Sequence, residues 1–261
     1  MNQTTQSRWF VFYKDQLLLE KKDNGRLAVP CGEIPPIGIK EKTTVHDIAM
    51  LEDRSCKAFS LSQPIDESEK YVFTGLRASY EYLPLSHYQT AGKAHEILHW
   101  DRNNRFCSVC ATPMEQKEPI MKRCPNCGNE VYPSISTAIL ALIRKEDSIL
   151  LVHARNFKGS FSSLVAGFLE TGETLEECVA REVKEETGLD IKNITYFGNQ
   201  PWPYPSGLMV GFIADYDGGE ITLQDEELSS GGFFTRDNLP ELPRKLSLAR
   251  KMIDWWIAHP N

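Results

Sequence analysis

Carboxylates crowd one stretch of this chain in a pattern that a solvated charge run does not produce. Between Gly167 and Leu189 the sequence reads GFLETGETLEECVAREVKEETGL. Thr174 followed by Glu177 is a capping box and Gly188 suits a helix terminus, so the spacing predicts a helix over residues 174–187. At about 100° per residue, Leu175, Cys178, Val179 and Val183 share one apolar arc. Glu182 and Glu186 fall inside that arc and Glu185 at its edge, whereas Glu176, Glu177 and Lys184 point the other way. Carboxylates aimed inward repel one another unless a cation holds them, which argues against a merely glutamate-rich surface helix. A divalent metal meets the need, because Mg²⁺ takes oxygen ligands and leaves positions for water and phosphates.

A second set of metal-binding side chains lies upstream. Cys107-Ser-Val-Cys110 and Cys124-Pro-Asn-Cys127 are separated by thirteen residues. Such knuckles offer four thiolates for a closed, structural site, with Zn²⁺ the default ion and iron or another soft metal the alternative. Lys117, Lys122 and Arg123 between them are offset by Glu115 and Glu118. A brace between domains is therefore a better reading than a nucleic-acid reader. Cys31, Cys56 and Cys178 read as reduced thiols without an assigned role.

The third feature is Gln200-Pro201-Trp202-Pro203-Tyr204-Pro205-Ser206-Gly207. Prolines cannot donate to a sheet ladder, so the stretch is expected to be a stiff, extended loop. Its two aromatics suit the wall of a site for a planar ring, against the plainer reading of a proline-rich connector.

The elements that would position these groups follow from periodicity. RWFVFYKDQLLLE at 8–20 and TAILALIRKEDSILLV at 137–152 each read as two strands around a charged turn. This likeness suggests that the amino-terminal part is a distant copy of the later domain, lacking the glutamates. Ser60–Glu69 reads as a loop, Tyr71–Thr74 as a strand and 90–102 as a helix. After the box come strands near 194–198 and 208–216, an acidic loop at Asp225–Glu227, and a last strand at Gly232-Phe-Phe. Pro243 precedes a helix whose face is Leu246, Ala249, Ile253, Trp256 and Ile257.

With Gly167, Glu173 and Arg181-Glu182-Val183-Lys184-Glu185-Glu186-Thr187-Gly188-Leu189 at this spacing, the chain resembles the Nudix hydrolases, which act on a nucleoside diphosphate linked to another group. The four-cysteine ribbon and the QPWP-aromatic-Pro run narrow the resemblance to the NADH pyrophosphatase type, which includes the bacterial enzyme that removes NAD caps from RNA. Two positions depart from that branch: Asn199 and Gly207 stand where serines belong, with Ser206 adjacent to the second. The resemblance implies an α/β (α+β) sandwich, a mixed sheet between helices, preceded by the ribbon and a degenerate Nudix-like domain. The implied division is 1–102, 103–132 and 133–261.

The same resemblance implies roles. Ala166, through its carbonyl, with Glu182, Glu186 and Glu227 would hold two or three Mg²⁺ or Mn²⁺, with Glu185 near them and one structural Zn²⁺ on the cysteines. Tyr132, Phe168, Ala249, Arg77 and the 200–207 segment would contact substrate. Tyr132 would serve a neighbouring protomer, which implies a homodimer. The expected reaction is hydrolysis of NAD(H) to AMP and nicotinamide mononucleotide, with removal of NAD caps from RNA. The alternatives are a broader nucleotide diphosphatase acting on ADP-ribose, FAD or dinucleoside polyphosphates, or a non-catalytic NAD or ADP-ribose sensor with a nucleic-acid-binding zinc ribbon.

Composition sets outer bounds. The 261 residues are 41% apolar and 25% charged, ordinary for a globular chain with a substantial core. A net charge of -7 gives no global attraction to nucleic acid or anionic membrane. No stretch has the length of a membrane span and MNQTTQSRW lacks a signal-peptide core, so a cytoplasmic protein is expected.

Overall fold

The computed structural model describes residues 6–39, 43–66, 68–156 and 159–260. Residues 1–5, part of the stretch that lacks a signal-peptide core, lie outside the described residues, as do residue 67 of the expected Ser60–Glu69 loop and residues 157–158. The chain divides into two compact units, Met1–Ser134 with Pro203–Ser206, and Ile135–Trp202 with Gly207–Asn261. Among the described residues no helix is long and apolar enough to cross a membrane.

The first unit is built on β1 (Ser7–Tyr13), β2 (Gln16–Lys21), β3 (Leu27–Ala28), β4 (Cys31–Gly32), β5 (His46–Leu51), β6 (Arg54–Ser60) and β7 (Tyr71–Gly75). Strand order is β3-β2-β1-β6-β5, with β4 on β1 and β7 on β2, and β1 runs parallel to β6. Every residue of β1 except Tyr13 is buried, because both faces of the sheet are covered. Trp9 and Val11 face a cluster with Leu18 and Phe59, closed over by Ile37, Val45, Leu61 and Ile65. On the opposite face Phe12 meets His95 of α1 (Leu85–Asn103), ring centroids 5.3 Å apart. The helix starts at Leu85, a turn and a half earlier than its apolar period suggests. Its first residues, Leu85-Ser86-His87-Tyr88-Gln89, carry little apolar signal, and Pro84 serves as the N-cap.

The ribbon belongs to this unit and comprises β8 (Glu115–Glu118), β9 (Met121–Arg123) and β10 (Glu130–Val131), in the order β10-β9-β8. Lys122 is not one of its surface charges. At 5% exposure it donates Nζ to the Asp101 and Asn104 carbonyls at 2.8 and 3.0 Å, and pairs with Asp101 Oδ1 at 2.7 Å. It thus caps the carboxyl end of α1, where unpaired carbonyls favour a cation.

The second unit contains β11 (Ser136–Lys145), β12 (Ser148–Ala154), β13 (Val165–Phe168), α2 (Leu175–Thr187), β14 (Asp190–Trp202), β15 (Gly207–Gly218), β16 (Leu228–Thr235) and α3 (Leu248–Ala258). Strand order is β14-β15-β11-β12-β16, with β13 on β11, and β11 is parallel to β15. Alternate residues of β11 feed two cores. Ile139, Ala141 and Ile143 meet Cys178, Val179 and Val183 of α2, whereas Leu140 and Leu142 meet Leu248, Ala249, Met252, Ile253 and Trp256 of α3. The result is a mixed sheet between helices. Ile257, expected on the buried face of α3, is 37% exposed.

The two sheets share one connectivity. β1, β2, β4, β5, β6 and β7 occupy the places of β11, β12, β13, β14, β15 and β16, and both central hairpins turn through a residue at positive φ, Lys14 and Glu146. The sheet face that α2 covers in the second unit is covered in the first by Ile37 and Val45 from the stretch between β4 and β5, where the described residues form no helix.

Candidate active site

The capping box forms as the sequence requires. Thr174 accepts from the Glu177 amide, Glu177 accepts from the Thr174 amide, and Gly188 ends the helix at φ 73°. That frame fixes the phase of α2: the Glu186 residue is 4% exposed, Glu182 is half-buried, and the Glu185 side chain is 56% exposed. The adjacent strand β13 brings its backbone against the helix. A side chain on Gly167 would put Cβ 1.8 Å from the Glu182 carboxyl carbon, so glycine is what lets Glu182 hold this position.

Arg181 gathers the acids. Its guanidinium donates to Glu173 Oε2 at 2.9 Å, Glu182 Oε1 at 2.9 Å, Glu185 Oε2 at 3.1 Å and the Phe168 carbonyl at 3.1 Å. The bond from Arg181, helped by the Glu170 amide, brings Glu173 down to about 2. Glu186 has no such help: burial pushes it up to about 8, and the charges acting on it, Glu182, Glu227 and Glu185, are all negative. Burial also raises Glu182. Glu227 is held next to the end of α2 by backbone bonds, Gln224 N to Glu186 O at 2.9 Å and Arg155 N to Glu227 O at 2.8 Å.

A buried acid surrounded by like charges is the setting a divalent cation relieves, so the carboxylate set fits such an ion. Among the described residues the four cysteines are the one group of three or more such side chains whose ligand atoms all lie within 4.8 Å of one another.

The cysteines fit zinc closely. Sγ separations of 3.6 Å (Cys107–Cys127), 3.5 Å (Cys110–Cys124) and 3.5 Å (Cys110–Cys127) approach the ~3.8 Å that tetrahedral bonds of about 2.3 Å produce. The knuckles are built alike: Cys107 N to Thr112 O and Cys124 N to Asn129 O are both 2.8 Å. Each turns through positive φ just after its second cysteine, at Ala111 and Gly128.

The remaining expected residues lie on several elements of the two units. Phe168, at the end of β13, is 66% exposed. Ala249 is buried in the α3 core, 4% exposed. Tyr132 is 54% exposed and donates to Glu130 Oε2 at 3.3 Å. The expected loop is largely strand: Gln200, Pro201 and Trp202 pair with Met209, Leu208 and Gly207. Pro201 is tolerated because β14 is an edge strand, whose open side needs no donor. Only Pro203–Ser206 form the turn, and they belong with the first unit, where the Arg77 guanidinium lies 4.5 Å from the Tyr204 ring centroid.

The two departures from the family pattern have local accounts. Asn199 donates to the Tyr196 hydroxyl and Ser206 to the Ser134 carbonyl at 2.9 Å. At Gly207 a Cβ would sit 3.2 Å from both the Ser136 and Trp202 carbonyl oxygens, which leaves little room for serine. Sequence reasoning missed Arg155, Tyr88 and the burial of Lys122, whose partners are distant in sequence and leave no local signal.

Comparison with known proteins matches three segments of the chain in turn. Residues 133–256 match the profile of the NUDIX domain, residues 6–100 that of the NADH pyrophosphatase-like rudimentary NUDIX domain, and residues 102–132 that of the NADH pyrophosphatase zinc ribbon domain. Relatives named NAD-capped RNA hydrolase NudC include one from Haemophilus influenzae, 37% identical over 227 residues, covering 84% of each chain. That of Chromobacterium violaceum is 41% identical over 179 residues, 68% of each. That of Pseudomonas aeruginosa is 36% identical over 214 residues, 82% of this chain and 77% of the relative. With its catalytic fold, ribbon and rudimentary copy all matched in one order, the chain belongs to the Nudix hydrolases, in the NADH pyrophosphatase branch.

Proposed function

We propose that this protein hydrolyses the diphosphate of NAD(H) to AMP and nicotinamide mononucleotide and removes NAD caps from RNA 5′ ends, leaving a 5′-monophosphate. The observation that carries the reading is the buried Glu186 among Glu182, Glu185 and Glu227, with the Arg181 guanidinium spent on Glu173, Glu182 and Glu185. The relatives named above are NAD-capped RNA hydrolases and support the same substrate class.

In this reading Glu182, Glu186, Glu227 and the Ala166 carbonyl hold two or three Mg²⁺ or Mn²⁺. Bound there, the cations offset charge on the diphosphate oxygens that otherwise repels a nucleophile. Arg181 orients Glu182 and Glu185 through charge-assisted bonds and keeps Glu173 ionised. Phe168 and the 200–207 segment, with Arg77 and Ala249, receive the dinucleotide. The division 1–102, 103–132 and 133–261, a homodimer in which Tyr132 serves the partner's site, and a cytoplasmic location belong to the same proposal.

The test is product analysis. Purified protein with Mg²⁺ or Mn²⁺ is incubated separately with NADH, NAD⁺, ADP-ribose, FAD and NAD-capped RNA. Release of AMP from NADH or NAD⁺ is expected, with 5′-monophosphate RNA from the capped transcript. Preferential cleavage of ADP-ribose or FAD without AMP release from either dinucleotide sinks the substrate assignment, and binding without turnover of any substrate makes the protein a sensor.

A further inference from the structure

Phe168, the proposed ring contact, begins a row of four residues that crosses the sheet of the second unit. Phe168 pairs with Ala138, Ala138 with Met209 and Met209 with Gln200, so β13, β11, β15 and β14 each give one residue to the same face. Three strand spacings of about 4.8 Å put the ends of the row roughly 14 Å apart. At the far end Gln200 donates Nε2 to the Leu246 carbonyl at 2.9 Å, which fastens the turn before α3 to the sheet. Leu248 and Met252 then lie over Gly211, where a Cβ would come within 2.6 Å of Met252 Sδ. The amino end of α3 is thus fixed beside the row, on the face that Phe168 shares.

The charge there is unlike that of the chain at large. From Leu242 to Ile253 the sequence has Arg244, Lys245, Arg250 and Lys251 and no acid, in a chain of net charge -7. Arg250 is used internally: it donates Nε to Asp254 Oδ1 at 2.7 Å and Nη1 to the Pro243 carbonyl at 3.0 Å, bracing the turn against the helix. Arg244, Lys245 and Lys251 are exposed and, among the described residues, enter no ion pair. The α2 side of the sheet has the reverse sign. Glu170, Glu173, Glu176, Glu177, Glu182, Glu185, Glu186 and Asp190 stand there against two cations, Arg181 and Lys184. A polyanion is repelled along that side and attracted on the α3 side.

We propose that RNA leaves the site past the amino end of α3: Arg244 and Lys245, with Lys251 on the first turn of the helix, receive phosphates of the nucleotides that follow an NAD cap. The proposal rests on the reading of the site as one that takes capped RNA. Free dinucleotide has no such phosphates, so these cations serve the longer substrate alone. The rest of the chain has no overall attraction for RNA, which makes the hold local and sensitive to salt.

Arg244→Gln/Lys245→Gln, on an exposed turn, is compared with the native protein by steady-state kinetics on NAD⁺ and on an unstructured NAD-capped RNA. KM for capped RNA is expected to rise about tenfold, and its logarithmic dependence on salt to flatten by about 1.4, two single-strand contacts at about 0.7 each. KM and kcat for NAD⁺ are expected to stay within about twofold of native. Unchanged KM and salt dependence on capped RNA, or a rise in KM of equal size on NAD⁺, overturns the proposal. Anisotropy of a fluorescent 5′-monophosphate RNA needs no turnover: the variant is expected to bind about tenfold more weakly, and equal binding overturns the proposal. If the native protein cleaves neither substrate, the substrate reading fails, and anisotropy alone decides whether this surface binds RNA.

Discussion

At the scale of single residues, the site depends on a buried carboxyl acted on by charges of its own sign. Glu186→Gln keeps the shape of the buried side chain and removes a negative charge from among Glu182, Glu185 and Glu227. The fold should persist, with a melting temperature at or above native in the absence of divalent ions. Turnover should fall by about a hundredfold or more, since loss of even an outer partner of a metal ligand costs 10–100-fold. Near-native turnover would show that Glu186 has no part in the reaction. Gly167→Ala tests the neighbouring contact: a methyl at 167 claims the space of the Glu182 carboxyl and must displace it from Arg181. A shift of that size should lower kcat by about a hundredfold with unchanged secondary structure by circular dichroism. A fully active variant would mean that Glu182 need not hold this position.

At the scale of elements, α1 and the ribbon are joined through Asp101 and Lys122. Burial works to raise the Asp101 carboxyl, but bonds from His46 and Lys122 and the Lys122 charge outweigh it and bring it down to about 2. A carboxyl depressed by folding stabilises above its unfolded value and loses that contribution as pH falls through its folded value. The native protein should therefore lose about 2 kcal/mol from this group between about pH 4 and pH 2. Asp101→Asn should be less stable at pH 7 and should lack this component of the acid loss, measured as the difference between the two proteins in urea unfolding across that range. Equal acid profiles would remove the pair from the account.

The same elements show how far the sequence could be read. The box helix was legible because its caps, apolar arc and misplaced glutamates all lie within a few turns. The ribbon was legible because zinc ligation imposes spacing on the cysteines. The 200–207 segment was half legible: its prolines argued against strand, but the argument holds only away from an edge, and nothing local reveals that β14 is one. The first turn of α1 and the burial of Lys122 were illegible for a related reason. Their stabilisation comes from partners far along the chain, His87 and Tyr88 packing within the first unit and Lys122 reaching back to Asp101.

At the scale of the whole molecule, one sheet plan serves twice. The second use keeps α2 and its acids; the first covers the equivalent face with Ile37 and Val45 and keeps the ribbon instead. Metal removal should therefore act on the first unit. Chelation of zinc should release a single equivalent per chain and melt the ribbon, because a structural zinc site supplies much of the folding energy of so small a module. Trp100, whose ring lies 5.5 Å from Lys122 Nζ, should report this as a red shift in fluorescence. Release of the ion with unchanged fluorescence would show that the ribbon stands without it.

The turn Pro203–Ser206 has a consequence for how the protein is made. The first unit is discontinuous in sequence, so a ribosome delivers its last piece only after nearly seventy residues of the second unit have followed Ser134. Until then α1 waits with Gly92, on which Pro203 comes to rest, uncovered and Tyr88 without the hydroxyl of Tyr204. A fragment cut at the apparent boundary after the ribbon would remain permanently in that immature state, and it should be less soluble than a fragment of its composition has any reason to be.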